Sequence, residues 1–309
     1  MRLAMVATDT GTRLGAVVDG RAVDVAGVAT ADGLGDRTGP TDLKAVLAAG
    51  ERGREWLADL LARTAASDER FSVSLDQARL AAPYVPGAKI LCHVVNYIEH
   101  GSEAGIEPPE HPFFFLKPGS SVVGPRDHLL AHRWSTQMDY EVELAVIIGR
   151  PGRDISAERA YDHVAGYAVM NDVSYRDLQF NRVAPKLSMR FGQNWTQGKG
   201  LDASCPLGPW ITLTDELADP YPLAIRAWVD DRLRQDGNTQ HQIFKVPELI
   251  AHISRGMTLQ PGDVIATGTP AGSGIADGSY LQVGQTVRCE VEGLGALLNE
   301  VIADDGRTT

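Results

Sequence analysis

Three carboxylates in otherwise apolar runs carry the strongest chemical signal in this 309-residue chain. Glu141 and Glu143 lie in Met-Asp-Tyr-Glu-Val-Glu-Leu-Ala-Val-Ile-Ile (138–148), and Asp172 lies in Gly-Tyr-Ala-Val-Met-Asn-Asp-Val-Ser (166–174). Both segments read as strands, short and rich in β-branched residues, the first closed by Gly-Arg-Pro-Gly at 149–152. Side chains alternate across a strand, so Glu141 and Glu143 point one way and Val142 and Leu144 the other. Two ionised carboxylates on one partly buried face repel each other and are costly to desolvate unless a cation joins them. An all-oxygen donor set suits Mg²⁺, Mn²⁺ or Ca²⁺ rather than zinc. The pattern is that of a metal-dependent enzyme.

Other residues could join that chemistry, each with a plainer reading beside it. His100 and Glu103 are three apart in Asn-Tyr-Ile-Glu-His-Gly-Ser-Glu (96–103). On a helical turn they share a face, where the carboxylate could orient an imidazole able to deprotonate water. The plainer reading is a surface ion pair, and Gly101 weakens the helix. Lys199, among glycines at 198–200, is either a solvated loop charge or a cation facing developing negative charge. It is not a Walker A lysine, because Gly200 stands where Ser or Thr is needed. The run Ala-Thr-Gly-Thr-Pro-Ala-Gly-Ser-Gly (266–274) follows a strand and could bring backbone N–H groups close to a ligand. Asp236-Gly237 reads first as a hairpin turn.

These residues need a scaffold, and composition bounds it. Hydrophobic content of 43% with 22% charged residues is ordinary for a soluble globular chain. A net charge of −11 argues against nucleic acid and gives no reason to bind anionic membranes. Cys92, Cys205 and Cys289 form no CxxC pair, so a reducing cytoplasm is the simplest setting. The N-terminus turns polar too early for a signal peptide, and no run is apolar enough to span a bilayer.

Residues 1–80 read as a small α+β unit of three short strands, a Gly- and Asp-rich loop (29–40), a helix capped by Thr41, and a second helix over 52–65. The unit is expected to pack rather than react. Prolines 83 and 86 with Gly87 mark a join. The remainder, 84–305, is strand-rich, with strands expected near 89–95, 141–148, 167–173, 209–213, 224–229, 263–266 and 286–291. A helix is expected at 246–254. Strands predominate over βαβ alternation, which predicts an α+β fold with a curved mixed sheet.

Taken in order from 84 to about 303, these segments resemble the fumarylacetoacetate hydrolase family. The matching stretches are Asn-Tyr-Ile-Glu-His at 96–100 through Glu103, Pro-Phe-Phe-Phe-Leu-Lys-Pro at 112–118, Asp-Tyr-Glu-Val-Glu-Leu at 139–144 and Asn-Asp-Val-Ser-Tyr-Arg-Asp-Leu-Gln at 171–179. Further on come 198–210, Gln-Asp-Gly-Asn-Thr-Gln at 235–240 and Thr-Gly-Thr-Pro at 267–270. The resemblance implies a mixed β-roll catalytic domain, commonly in homodimers, behind the small N-terminal domain. It implies Mg²⁺ or Mn²⁺ on Glu141, Glu143 and Asp172, and a water-activating His100–Glu103 dyad on a lid. Lys199 would stabilise the charged intermediate, and Lys117, Arg176, Gln240 and Thr269 would contact substrate. The chain departs from the family at Val94-Val95, at the preceding His93, at Tyr175, and over 180–191, a stretch that matches no familiar pattern.

The implied activity is hydrolysis of a C–C bond in a 1,3-dicarbonyl or acylpyruvate-type oxo acid. Isomerisation of an unsaturated oxo-dicarboxylate and decarboxylation of oxaloacetate would use the same site through an enolate. The presence of both His100 and Glu103 favours a reaction that activates water. A non-catalytic binding module is the remaining alternative, and the intact set of six residues speaks against it.

Overall fold

The computed structural model describes residues 1–31, 39–63, 68–180 and 192–306. All but Phe180 of the 180–191 stretch, the centre of the Gly- and Asp-rich loop and the expected end of the 52–65 helix lie outside the described residues. The described chain is α+β. Its main sheet runs, in spatial order, Ser72–Ser74, Arg21–Asp24, Gly11–Val18, Arg2–Thr8, Cys205–Leu213, Val164–Asn171, Val142–Ile148, Val264–Ala266, Ile90–Val94 and Phe113–Lys117. Neighbours along this path are antiparallel except Val264–Ala266 beside Ile90–Val94, which makes the sheet mixed. A second sheet orders Arg232–Asn238, Ala224–Val229, Thr286–Val291, Gly295–Ala303 and Leu129–Ala131.

The central strand Val142–Ile148 is buried along its whole length, which is why it lacks an outward polar face. Val142, Leu144, Val146 and Ile148 join Ile225, Val287 and Leu297 in the core that includes the second sheet. Ala145 and Ile147 face the other way, into a core shared with Leu3, Val25, Leu57 and Leu60. Glu143 shares their parity, so it emerges on that second face. The first strand pairs directly with Cys205–Leu213, Arg2 opposite Thr212 and Leu3 opposite Ile211. The N-terminal strands therefore continue the catalytic sheet, and one core spans both parts.

Local differences from the sequence reading have physical causes. Asp42, not Thr41, caps the helix Leu43–Ala49, its carboxylate accepting from the Ala45 N–H at 2.9 Å. Asp236 and Gly237 lie within the strand Arg232–Asn238 and make no turn. Glycine is needed there for close approach, since a Cβ would meet Pro270 Cβ at 2.5 Å. The hairpin turns instead at Asp230-Asp231, between the paired strands Ala224–Val229 and Arg232–Asn238.

His93 is buried in the strand Ile90–Val94, its ring 5.6 Å from that of Phe244, and neither ring nitrogen has a hydrogen-bond partner among the described residues. Burial, with His252 nearby, pushes its pKa down from 6.5 to about 4. An unfolded chain would take up that proton below about pH 6.5 while the native one resists it down to about 4. Lowering the pH across this window should therefore cost about 3 kcal/mol of stability through His93 alone. Urea unfolding of wild type and His93→Phe at pH 7 and pH 4.5 checks this: the variant should lose much less on acidification, and equal losses would contradict it.

Candidate active site

The antiparallel pairing of Val142–Ile148 with Val164–Asn171 builds the site. Val142 lies opposite Asn171, and just beyond, the Asp172 N–H donates to the Glu141 carbonyl at 2.9 Å while Glu141 N–H donates to Asn171 Oδ1 at 2.9 Å. This register sets Asp172 against Glu141, and strand alternation adds Glu143. One carboxylate oxygen from each of Glu141, Glu143 and Asp172 lies within 4.8 Å of the others, and all three residues are buried.

Buried cations meet two of the three. Lys199, on the short helix Trp195–Lys199, bonds Glu141 Oε2 and, at 2.7 Å, Asp172 Oδ2. Arg176, opening the helix Arg176–Gln179, bonds Glu141 Oε1 and, at 2.8 Å, Asp139 Oδ2. Lys117 holds Asp172 Oδ1 at 2.8 Å and the Val173 carbonyl at 3.1 Å. Burial alone would raise the Glu141 pKa, but Arg176 and Lys199 hold it well below the usual carboxylate range. The Lys199 ammonium is raised despite its burial, because Asp172 and Glu141 favour the charged form. Glu143 is different: among the described residues its one donor is the Gly268 N–H at 2.7 Å. Burial, then repulsion from Asp172 and Glu141, pushes its carboxyl well above the normal range.

This is the signature of a place short of positive charge. Counting Asp139, four buried carboxylates face the three cations Lys117, Arg176 and Lys199. A divalent ion fits on three grounds: the donors are all hard oxygens, they converge, and among the described residues Glu143 has no ion-pair partner. Each carboxylate oxygen has a second lone pair, so the present hydrogen bonds do not exclude an ion.

His100 comes from the helix Ile98–Ala104, begun at Tyr97 and closed by Gly105 in the left-handed conformation. Its Nε2 lies 3.8 Å from Glu141 Oε1, and its buried Nδ1 has no hydrogen-bond partner among the described residues. Burial lowers its pKa, with Glu141 pulling the other way. Gly101 is compatible with this helix because a Cβ there would meet the Ile106 carbonyl oxygen at 2.9 Å and Val95 Cγ1 at 3.0 Å.

The expected pairing of His100 with Glu103 is not formed. Glu103 is exposed, and its carboxylate accepts from the Gly272 N–H at 2.9 and 3.2 Å. A peptide N–H in the glycine-rich loop has outcompeted the imidazole. Gln240 lies apart from this pocket. It is exposed on a short turn, Thr239–His241, and lines a separate depression with Tyr161, Tyr221 and Lys245. The buried amide of that strand is Gln235, which donates to Thr269 Oγ1 at 2.8 Å. Thr269 does reach the pocket wall, its hydroxyl donating to the Val142 carbonyl at 2.8 Å.

The pocket holds about 70 Å³ and gathers His100, the three carboxylates, Arg176, Lys199 and Thr269. Sequence reasoning missed its apolar wall, where Phe115 stacks on Trp195 at 4.9 Å and lies 5.3 Å from Lys199 Nζ. It also missed Gln179, three residues after Arg176, whose side chain accepts from Arg176 at 3.1 Å. That helical spacing was a usable signal.

If a divalent ion completes the cluster, Mn²⁺ at about 100 times its dissociation constant should add about 2.7 kcal/mol of stability and raise Tm by several degrees. Glu143→Gln should raise the Tm of the metal-free protein, by removing a carboxyl whose ionisation burial and its neighbours oppose, yet shrink the Mn²⁺-dependent increase. Differential scanning calorimetry with EDTA and with Mn²⁺ reads both. An undiminished increase in the variant would contradict the assignment of Glu143.

Residues 89–302 match the family described as fumarylacetoacetate (FAA) hydrolase, C-terminal. The chain is 42% identical over 223 residues to oxaloacetate tautomerase FAHD2A, mitochondrial, of Homo sapiens, spanning 72% of this chain and 68% of the human one. Among solved structures it resembles the fumarylacetoacetate hydrolase of Exiguobacterium antarcticum, with a TM-score of 0.77, 35% identity, and 98% of this chain and 99% of that chain covered. It equally resembles the maleylpyruvate hydrolase of Sphingobium sp. SYK-6 in complex with manganese(II) ion and pyruvate, with a TM-score of 0.76, 32% identity and coverage of 98% and 99%. The fold, the ordered motifs and these likenesses together make the chain a member of the fumarylacetoacetate hydrolase family of enzymes.

Proposed function

We propose that this enzyme acts on a small 2-oxo acid by moving a proton at the carbon beside the oxo group, through an enolate, with Mg²⁺ or Mn²⁺ held by Glu141, Glu143 and Asp172. The observation that carries the reading is the pocket in which those carboxylates converge beside Lys199, Arg176 and His100. When bound, the ion would supply Lewis-acid charge and orient the oxo-acid end. Lys199 adds a buried positive charge where the enolate develops. His100, kept neutral near pH 7 by burial, offers its unpartnered Nδ1 to take and return the proton. Phe115 and Trp195 give that side of the pocket an apolar wall.

Enolisation, as in tautomerisation or isomerisation, comes first because it needs no activated water. Glu103, the residue that would complete a water-activating dyad, is engaged with Gly272 instead. The likeness to a mitochondrial oxaloacetate tautomerase supports the same order. Hydrolysis of a C–C bond in an acylpyruvate-type acid is the second reading, favoured by the free Nδ1 of His100 and by the likeness to a maleylpyruvate hydrolase. There His100, turned towards Glu103, would deprotonate water, the hydroxide would attack the distal carbonyl, and the C–C bond would break to an enolate that is then protonated.

Assays with oxaloacetate and with acylpyruvates, with Mn²⁺ and with EDTA, separate these. Metal-dependent acceleration of the enol–keto exchange of oxaloacetate supports the first reading; release of two acids from an acylpyruvate supports the second. His100→Ala should lower kcat by about 100-fold or more with Mn²⁺ affinity unchanged. Near-normal turnover in that variant would remove His100 from the mechanism.

A further inference from the structure

Asp139 is the one buried carboxylate beside the site that neither the donor cluster nor the proton transfer uses. It is fully buried and held by four donors. Oδ1 accepts from the Gly274 N–H at 2.6 Å and the Tyr140 N–H at 2.8 Å; Oδ2 accepts from the Ile275 N–H at 3.1 Å and Arg176 Nε at 2.8 Å. The backbone comes this close because residue 274 is glycine: a Cβ there would meet Asp139 Oδ1 at 2.8 Å. Three backbone donors fix the carboxylate in place, which suits it to hold a partner rather than to move.

That partner is a cation divided between two anions. Arg176 gives Nε to Asp139, Nη2 to Glu141 and, at 3.1 Å, Nη1 to Gln179. A buried guanidinium needs a counter-charge. A divalent ion at Glu141 would compete with Arg176 for the same carboxylate and repel it. Asp139 gives Arg176 an anion that lies outside the converging donor set.

We propose that Asp139 is a positioning residue that sets the divalent-ion affinity of the Glu141–Glu143–Asp172 cluster by anchoring Arg176, so that Glu141 is free to bind the ion. The proposal rests on the metal reading above. Without the Asp139 charge, Glu141 is the one carboxylate left to Arg176 among the described residues, and Arg176 opposes its transfer to the ion.

Mn²⁺ titration calorimetry on the full chain tests this in wild type, Asp139→Asn, Arg176→Gln and the double variant. Asp139→Asn should raise the Mn²⁺ dissociation constant about 10- to 100-fold, the range typical of groups that orient metal ligands. In the Arg176→Gln background the same change should matter by no more than about twofold, because the effect runs through Arg176. Gly274→Ala, which crowds Asp139 Oδ1, should weaken Mn²⁺ binding in the same direction and serves if Asp139→Asn does not fold. An unchanged constant in the foldable variants overturns the proposal. So does an equal loss in both backgrounds, which would mean that Asp139 acts by its own charge. Wild type that binds no Mn²⁺ contradicts the metal reading together with this one, whereas normal wild-type binding with an unaffected Asp139→Asn contradicts the Asp139 role alone.

Discussion

Glu141, Glu143 and Asp172 bring three carboxylates together where water is excluded, and that crowding is costly unless it is compensated. The surrounding elements supply the compensation. Lys199 arrives on one short helix, Arg176 on another, and Lys117 at the end of an edge strand, and all three are buried against the cluster. Each would be costly to bury alone; together they make the site possible. The compensation stops one charge short, at Glu143, and that shortfall is what the proposed divalent ion would make good.

The same constraint explains why the fold is arranged around one strand pair. Val142–Ile148 and Val164–Asn171 are buried on both faces, so their register is fixed by packing on each side. A slip by one residue would turn Glu143 into the core that contains Leu144 and Val146. The N-terminal strands and helices complete the opposite face with Leu3, Leu57 and Leu60. Their contribution to chemistry is indirect: they close the core from which Glu143 emerges.

Much of the site was legible because it obeys a short-range rule. The period of two put Glu141 and Glu143 on one face, and an apolar run ending in Asn-Asp supplied Asp172. What failed to read were choices among competing partners. Glu103 and His100 have helical spacing, yet the donor that captured Glu103 is a peptide N–H of residue 272, 169 positions away. Gln240 and Gln235 look alike in sequence, yet Gln235 is buried within the strand Arg232–Asn238 and Gln240 is exposed on the turn that follows it. Asp236-Gly237 has the letters of a turn, but its glycine answers to the nearby Pro270. The joining of the N-terminal strands to the main sheet depends on a pairing between residues about 210 positions apart, which no local pattern encodes.

The chemistry of the site turns on where a divalent ion binds. Diffraction from crystals grown with Mn²⁺, recorded at the manganese absorption edge, locates it directly. An anomalous peak is expected within coordinating distance of the Glu141, Glu143 and Asp172 carboxylates. A peak elsewhere, or none while Lys199 and Arg176 still clamp Glu141, would contradict it.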